Sequence, residues 1–403
     1  MIINQWYVAA DSSELTAAAP LKVRIMGFDF ALFRDETGAA RCISDTCVHR
    51  GASLGLGRIE ANCVECPYHG WRFNGAGEVT RIPSLPADVP IPRRARVDAY
   101  PVIERYGWIW VFLGDLPEAE RPPLPAFPEF EDTANWRSIR GEWRWKANYA
   151  RIVENGLDFA HAPFVHPSFG DRERAEIHDF ELEQDEWSAR AKVTYIPPLP
   201  RGIWKWLRKE RTPVAAQPSF HLSGSTMRLD VWLTKSWKMV IFDVNTPVDE
   251  TNTITRWIMC RNFFRSPIWD GDSRKRTLKI FEQDTRIVEE IAPEVVPLDL
   301  REEFSVKSDG LMNAYRLKRR ELIARGWALD VEALAGRETR AYVIPSPARR
   351  ESGGRNFVLK PAPLVPPRIG PVERIELELP GRGNHEIVTY VVHPESPVAK
   401  GQR

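Results

Sequence analysis

The sequence lacks a long apolar run: nothing in it approaches the ~18 consecutive apolar residues that a membrane-crossing helix needs. Its opening, MIINQWYVAADSSEL, has no basic stretch leading into an apolar one. No secretory leader is read there, and a cytoplasmic location is expected. Charge of one sign is also missing. The 56 basic and 55 acidic residues leave a net charge of +1, which removes the electrostatic case for nucleic acid or an anionic membrane. There is no internal repeat. No flavin or nicotinamide fingerprint lies in a strand–turn–helix setting. Cysteine is scarce: Cys42, Cys47, Cys63, Cys66 and Cys260 are too few and too clustered for a disulfide scaffold. In a cytosolic chain such a cluster more often binds metal, and a Cys42–Cys63 disulfide is not expected there.

Proline (33) and tryptophan (15) are plentiful in the 403 residues, which favours many extended connections over long helices. That length allows two or three domains. KVRIMGFDFALFRD and GWIWVFLG read as strands, rich in β-branched and aromatic residues and closed by turn residues. They place a β domain at 1–115. The proline-rich GDLPEAERPPLPAFPEF marks a linker at 116–128. Residues 129–345 read as an α+β domain. YARIVENGLDFAHA has helical spacing and ends at Pro163. RLDVWLTKSWKMVIFDVNTP and TNTITRWIMCRNFF read as strands of one sheet. TLKIFEQDTRIVEEI and FSVKSDGLMNAYRLKRRELIARG read as helices, with Gly326 closing the second. The tail at 346–403 is rich in Pro, Gly and Arg before a strand pair, RIELELP and EIVTYVV, and its role is open.

Two short patterns carry chemistry. Cys47-x-His49 is followed, after sixteen intervening residues, by Cys66-x-x-His69. Zinc accepts two cysteines and two histidines. Three features argue against it: the tight first spacing, the Cys-then-His order in each pair, and the glycines at Gly51 and Gly70. Glycine lets backbone N–H groups approach sulfur and tune a cluster. A Cys42, Cys47, Cys63, Cys66 set would strand both histidines, so Cys42 and Cys63 read as buried small residues. The pattern resembles a Rieske [2Fe–2S] centre, in which two imidazoles replace two thiolates on one iron and raise the potential to roughly −150 to +300 mV.

The second pattern is Asn155-x-x-Asp158-x-x-His161-x₄-His166. Asp158 and His161, three apart on a helix, share a face. Pro163 lets the chain fold back and aim His166 at the same point. Two histidines with a carboxylate from elsewhere make the facial triad of non-haem Fe(II) oxygenases. Asn155 is either a residue near the iron's vacant side or an ordinary helix amide. Glu154 reads as a salt-bridged carboxylate. His178, His221, His385 and His393 have no ligand-like neighbours. IWKWLRKER is a basic, aromatic segment, most simply a solvated helix, alternatively a cap on a substrate entrance or a donor contact.

Together the two patterns resemble the catalytic α subunit of Rieske non-haem iron oxygenases over residues 4 to 325, in particular the O-demethylase-like branch. The resemblance implies an α+β fold: an N-terminal Rieske [2Fe–2S] β-sandwich domain and a C-terminal helix-grip (START-like) antiparallel-sheet catalytic domain. It implies cluster ligands Cys47, His49, Cys66 and His69, and iron ligands His161 and His166. It assigns a third, acidic iron ligand to FEQDTRIVEE, where Asp284 fits best and Glu282 is the alternative. It gives Asp158 the role of linking a cluster histidine to the iron across a subunit boundary in a homotrimer. NAD(P)H serves indirectly, through a separate reductase and a ferredoxin where one intervenes, and O₂ and a small apolar substrate complete the partners. Monooxygenation (hydroxylation or O/N-demethylation) is the favoured chemistry, with cis-dihydroxylation, a pure electron-transfer Rieske protein and a zinc-stabilised module as alternatives.

Overall fold

The computed structural model describes residues 1–167, 170–196, 213–337, 339–368, 371–380 and 385–392. The chain forms two compact units. The first comprises Met1–Leu124, Thr246–Glu250 and Gly326–Pro367. It is built from small antiparallel sheets. One pairs Gln5–Asp11 with Trp108–Leu113 and Val102–Arg105; another orders Leu21–Ile25, Phe28–Arg34, Ala40–Ser44 and Ala99–Tyr100. Every residue of Trp108–Leu113 is buried, so this strand is covered on both faces, as its unbroken apolar run requires. A third sheet, Arg58–Glu60, Cys63–Glu65, Arg72–Phe73 and Val79–Arg81, carries the cysteine–histidine loops at its ends. Val64, Phe73 and Leu54 form its core beside Cys47 and Cys66.

The observed division differs from one drawn along the chain. Residues 326–367 return to the first unit, although the sequence reading divided them between a catalytic domain and a tail. The cause is specific. Asp98 is fully buried, and Arg349 answers it through Nε at 2.9 Å and Nη2 at 2.6 Å, with Ser346 Oγ donating at 2.7 Å. Tyr100 OH donates to the Ile344 carbonyl at 2.7 Å. Leu329, Leu334, Ile344 and Ala362 complete the core around Tyr7, Phe30 and Leu32.

The second unit is Pro125–Asn245, Thr251–Arg325 and the tail from Arg368. Seven antiparallel strands run in the order Arg137–Trp145, Thr253–Arg261, Lys238–Pro247, Thr226–Trp232, Val214–His221, Ser188–Tyr195 and His178–Gln184. Val214–His221 alternates buried and half-buried residues, the signature of a sheet with one covered face. Three helices pack on the sheet: a motif helix (Tyr149–Leu157), a long helix (Asp270–Val288) and a late helix (Gly310–Ala324). Phe281 of the long helix anchors it among Trp143, Trp145 and Trp257. The tail forms the expected hairpin, Glu373–Pro380 with His385–Val392. Ile375, Leu377 and Leu379 bury against Leu300 and Leu317.

Candidate metal centres

The two cysteine–histidine loops share one backbone design. In the first, Cys47 N–H donates to Ala52 O and Gly51 N–H to Cys47 O, both at 2.9 Å. In the second, Cys66 N–H donates to Trp71 O at 2.8 Å and Gly70 N–H to Cys66 O at 3.0 Å. The fifth residue of each loop is a glycine with φ of +72° or +68°, a conformation that side chains resist. Each loop then aims N–H groups at its own sulfur: those of His49 and Arg50 at Cys47, those of Tyr68 and His69 at Cys66. The two thiols also hydrogen-bond each other, so the Cys66 thiol is lowered, to about 6, and that of Cys47 is raised.

The His49 and His69 rings lie with centroids 4.5 Å apart, and His49 stacks on Trp71 at 4.6 Å and 6°. His49 Nδ1 is buried without a hydrogen-bond partner among the described residues. A buried bare nitrogen is costly unless something takes its lone pair. Two paired sulfurs, N–H groups trained on them and an orphaned imidazole nitrogen fit a [2Fe–2S] group held by two thiolates and two histidines.

The second centre lies between the motif helix and the long helix. His161 Nε2 and His166 Nε2 are 3.2 Å apart. Asp284 Oδ1 is 3.0 Å from the latter and 3.6 Å from the former, and it too is buried without a hydrogen-bond partner among the described residues. Three ligand atoms about 2.1 Å from one ion at right angles would stand about 3.0 Å apart. The set therefore fits a single divalent ion. Burial depresses the His161 pKa, but Asp158 and Asp284 outweigh it and leave the net shift upward. The residues thus favour positive charge at this point.

Two family profiles match the chain. Residues 5–101 match the Rieske [2Fe-2S] domain, and residues 145–325 match the vanillate O-demethylase oxygenase C-terminal domain. The chain belongs to the Rieske non-haem iron oxygenases. Among its relatives is methylxanthine N1-demethylase NdmA of Pseudomonas putida, 29% identical over 79% of this chain and 88% of that protein. Another is the toluene-4-sulfonate monooxygenase system iron-sulfur subunit of Comamonas testosteroni, 36% identical over 41% of this chain. In that case the chain spans about half of the relative's length, 47%. Dicamba monooxygenase bound to 3,6-dichlorosalicylic acid superposes with a TM-score of 0.67 at 25% identity, over 80% of this chain and 97% of that one.

In this Rieske oxygenase the motif helix stops at Leu157, earlier than its spacing predicts. Asp158 is an extended cap with ψ of 111°, and its Oδ1 accepts from Ala160 N–H at 2.7 Å. His161 then caps a separate short helix, Ala162–Val165. Pro163 opens that helix and does not end the first. Proline is well placed in a first turn, where its missing N–H has no partner to lose. Asp158 and His161 therefore meet across a turn and not along a helix face, with Oδ2 3.5 Å from Nδ1. Asn155 is half-buried one turn before Asp158.

Glu154 is salt-bridged, as its spacing suggests: Arg316 Nη2 reaches it at 2.9 Å. Glu282, the alternative acid, is exposed and paired with Arg286 at 2.9 Å. Cys42 and Cys63 are buried free thiols, and Cys63 Sγ lies 3.3 Å from Thr80 Oγ1. IWKWLRKER and His393 lie outside the described residues. Two residues escaped the sequence reading. Gln283 Oε1 stands 3.0 Å from His166 Nδ1. Asp243 is a buried carboxyl whose pKa is raised well above the usual range by burial and by the charge of Asp284. Gln283 could have been noticed, because it adjoins Asp284. Asp243 sits in an apolar strand with no local signal.

Proposed function

We propose that this chain is the terminal oxygenase of a multicomponent system that monooxygenates a small, apolar cyclic or aromatic compound by hydroxylation or by O- or N-demethylation. The observation that carries this reading is the convergence of His161 Nε2, His166 Nε2 and Asp284 Oδ1 within 3.6 Å of one another. In it, Cys47, His49, Cys66 and His69 hold the cluster, and His161, His166 and Asp284 hold the iron. The bound groups supply one-electron transfer and O₂ activation; the protein supplies placement, dryness and charge.

The residues support distinct tasks. Asp284 brings the one carboxylate of the triad and is buried. Asp158 Oδ2 faces the outer ring nitrogen of His161 at 3.5 Å, the side from which it would orient the ring. Its side chain stays partly open to solvent, as a link to a cluster histidine of a neighbouring copy in a homotrimer requires. Asn155, half-buried one turn before Asp158, is proposed to approach the iron. No helix of the described residues is long and apolar enough to cross a membrane. The proposed location is the cytoplasm, where a separate reductase, directly or through a ferredoxin, provides the electrons from NAD(P)H.

The test is aerobic turnover with a surrogate reductase on aromatic, methoxylated, N-methylated and polycyclic compounds, with products read by mass. Gain of one oxygen or loss of CH₂ is expected. Gain of two oxygens and two hydrogens would replace the reading with cis-dihydroxylation. Asp158→Ala should keep both metal sites loaded and lose single-turnover product; normal single turnover would remove the linking role.

A further inference from the structure

The His166 ring is held from two sides by consecutive residues of one helix. Asp284 Oδ1 lies 3.0 Å from Nε2, and Gln283 Oε1 lies 3.0 Å from Nδ1. Neighbouring helical side chains diverge by about 100°. Both can reach opposite nitrogens of one imidazole only if the ring lies across the helix, between them. The helix is itself fixed in rotation. Phe281 is packed among three tryptophans, and Trp143 Nε1 donates to Thr285 Oγ1 at 3.0 Å.

We infer that Gln283 is a positioning residue for the iron site, and that it sets the tautomer and orientation of His166. The inference rests on the proposed role of His161, His166 and Asp284 as iron ligands. An amide oxygen only accepts, so it places the imidazole proton on Nδ1 and leaves the Nε2 lone pair bare toward His161 Nε2 and Asp284. A histidine ligand held through its other nitrogen is a stronger and better-aimed donor.

The two histidines are then supported differently. His161 faces the carboxylate of Asp158, at 3.5 Å and part-exposed, whereas His166 faces a neutral amide at hydrogen-bond distance. The partner with the looser, charged contact is the one proposed to communicate outward. The partner with the close, neutral contact serves as the fixed anchor. A neutral anchor also keeps the donor set from gaining a second carboxylate beside Asp284.

The experiment compares the full-length wild type, Gln283→Leu, Gln283→Met and Gln283→Glu. Each is loaded with Fe(II) anaerobically, and iron release to an excess of Fe(II) chelator is timed. The visible spectrum of the cluster and the thermal midpoint serve as folding controls. Gln283→Leu and Gln283→Met should release mononuclear iron about 10–100-fold faster with an unchanged cluster spectrum. Gln283→Glu, which restores an acceptor at Nδ1, should release it no faster than wild type. Wild-type release rates in the two apolar variants would overturn the inference. So would equal loosening in all three, because the position would then matter for packing alone. Failure of the wild type to retain mononuclear iron at all would instead remove the iron-site reading on which the inference stands.

Discussion

The two metal centres are built in opposite ways. The cluster site is local: two loops sixteen residues apart repeat one hydrogen-bond design and converge at the end of one small sheet. Much of it is open, with His69 and Tyr68 exposed. The iron site is assembled at long range. Its proposed third donor, Asp284, is buried and comes from a helix far along the chain, and the outer ring nitrogens of His161 and His166 face Asp158 at 3.5 Å and Gln283 at 3.0 Å. A local site is specified by spacing and glycine. A long-range site is specified by whatever fixes the helices, here Phe281 among tryptophans and a buried charge lattice. In that lattice Arg151 donates to Pro293 O at 2.8 Å and to Glu303 at 2.9 Å, and Arg316 joins Glu154 to Glu303. It ties the motif helix to the late helix and to the loop that follows the long helix.

The sharpest way to break the comparison is to empty each site separately. Cys66→Ser should abolish the visible cluster spectrum and turnover while about one iron per chain remains. His166→Ala should abolish turnover with the cluster spectrum intact and about two irons per chain. Metal analysis beside absorbance checks both, and loss of both centres from either variant would show that the sites are not independent.

Next in size are the buried ion pairs that hold each unit. Arg316→Met leaves Glu154, 5% exposed, without its main partner, and Arg349→Leu does the same to the fully buried Asp98. Each should cost about 3–5 kcal/mol in chemical denaturation. Arg316→Met should also weaken iron retention and leave the cluster spectrum unchanged, whereas Arg349→Leu should act on the first unit.

A smaller effect concerns acid. Burial lowers the His221 pKa to about 4, although Asp185 pulls the other way, and Nδ1 accepts from Ser223 N–H at 3.1 Å. An unfolded histidine protonates near pH ~6.5. Between these values the unfolded chain binds more protons, so stability falls as pH drops from about 6.5 to 4, by an amount on the order of 2 kcal/mol. In His221→Gln the fall in thermal midpoint over this window should shrink. An unchanged fall would mean that His221 is not the group responsible. The smallest effect is expected for Cys63→Ala, below about 1 kcal/mol with a full cluster spectrum; loss of the spectrum would make Cys63 a participant.

The legibility of the molecule follows the same contrast. The strand around Phe30, the hairpin of the tail and the cluster loops were readable because each rests on contacts near in sequence, whereas Trp108–Leu113 was readable from its own apolar run although it pairs with Gln5–Asp11. The motif helix was misread at its end. Its apolar spacing continues past Leu157, but the Asp158 side chain takes the Ala160 N–H and turns the backbone out of the helix. The return of residues 326–367 to the first unit was not readable, because it depends on Asp98 meeting Arg349 across most of the chain.

By itself the sequence determined the donor types, their spacing and the family, because a Cys-x-His and Cys-x-x-His pair or an Asp-x-x-His-x₄-His run restricts its own loop. The tertiary structure adds what the pattern could only rank. Asp284, favoured by the FEQDTRIVEE pattern, and Glu282, the alternative two positions earlier on the same helix, have opposite surroundings. The packing of Phe281 rotates Asp284 inward to the histidines and leaves Glu282 in solvent with Arg286.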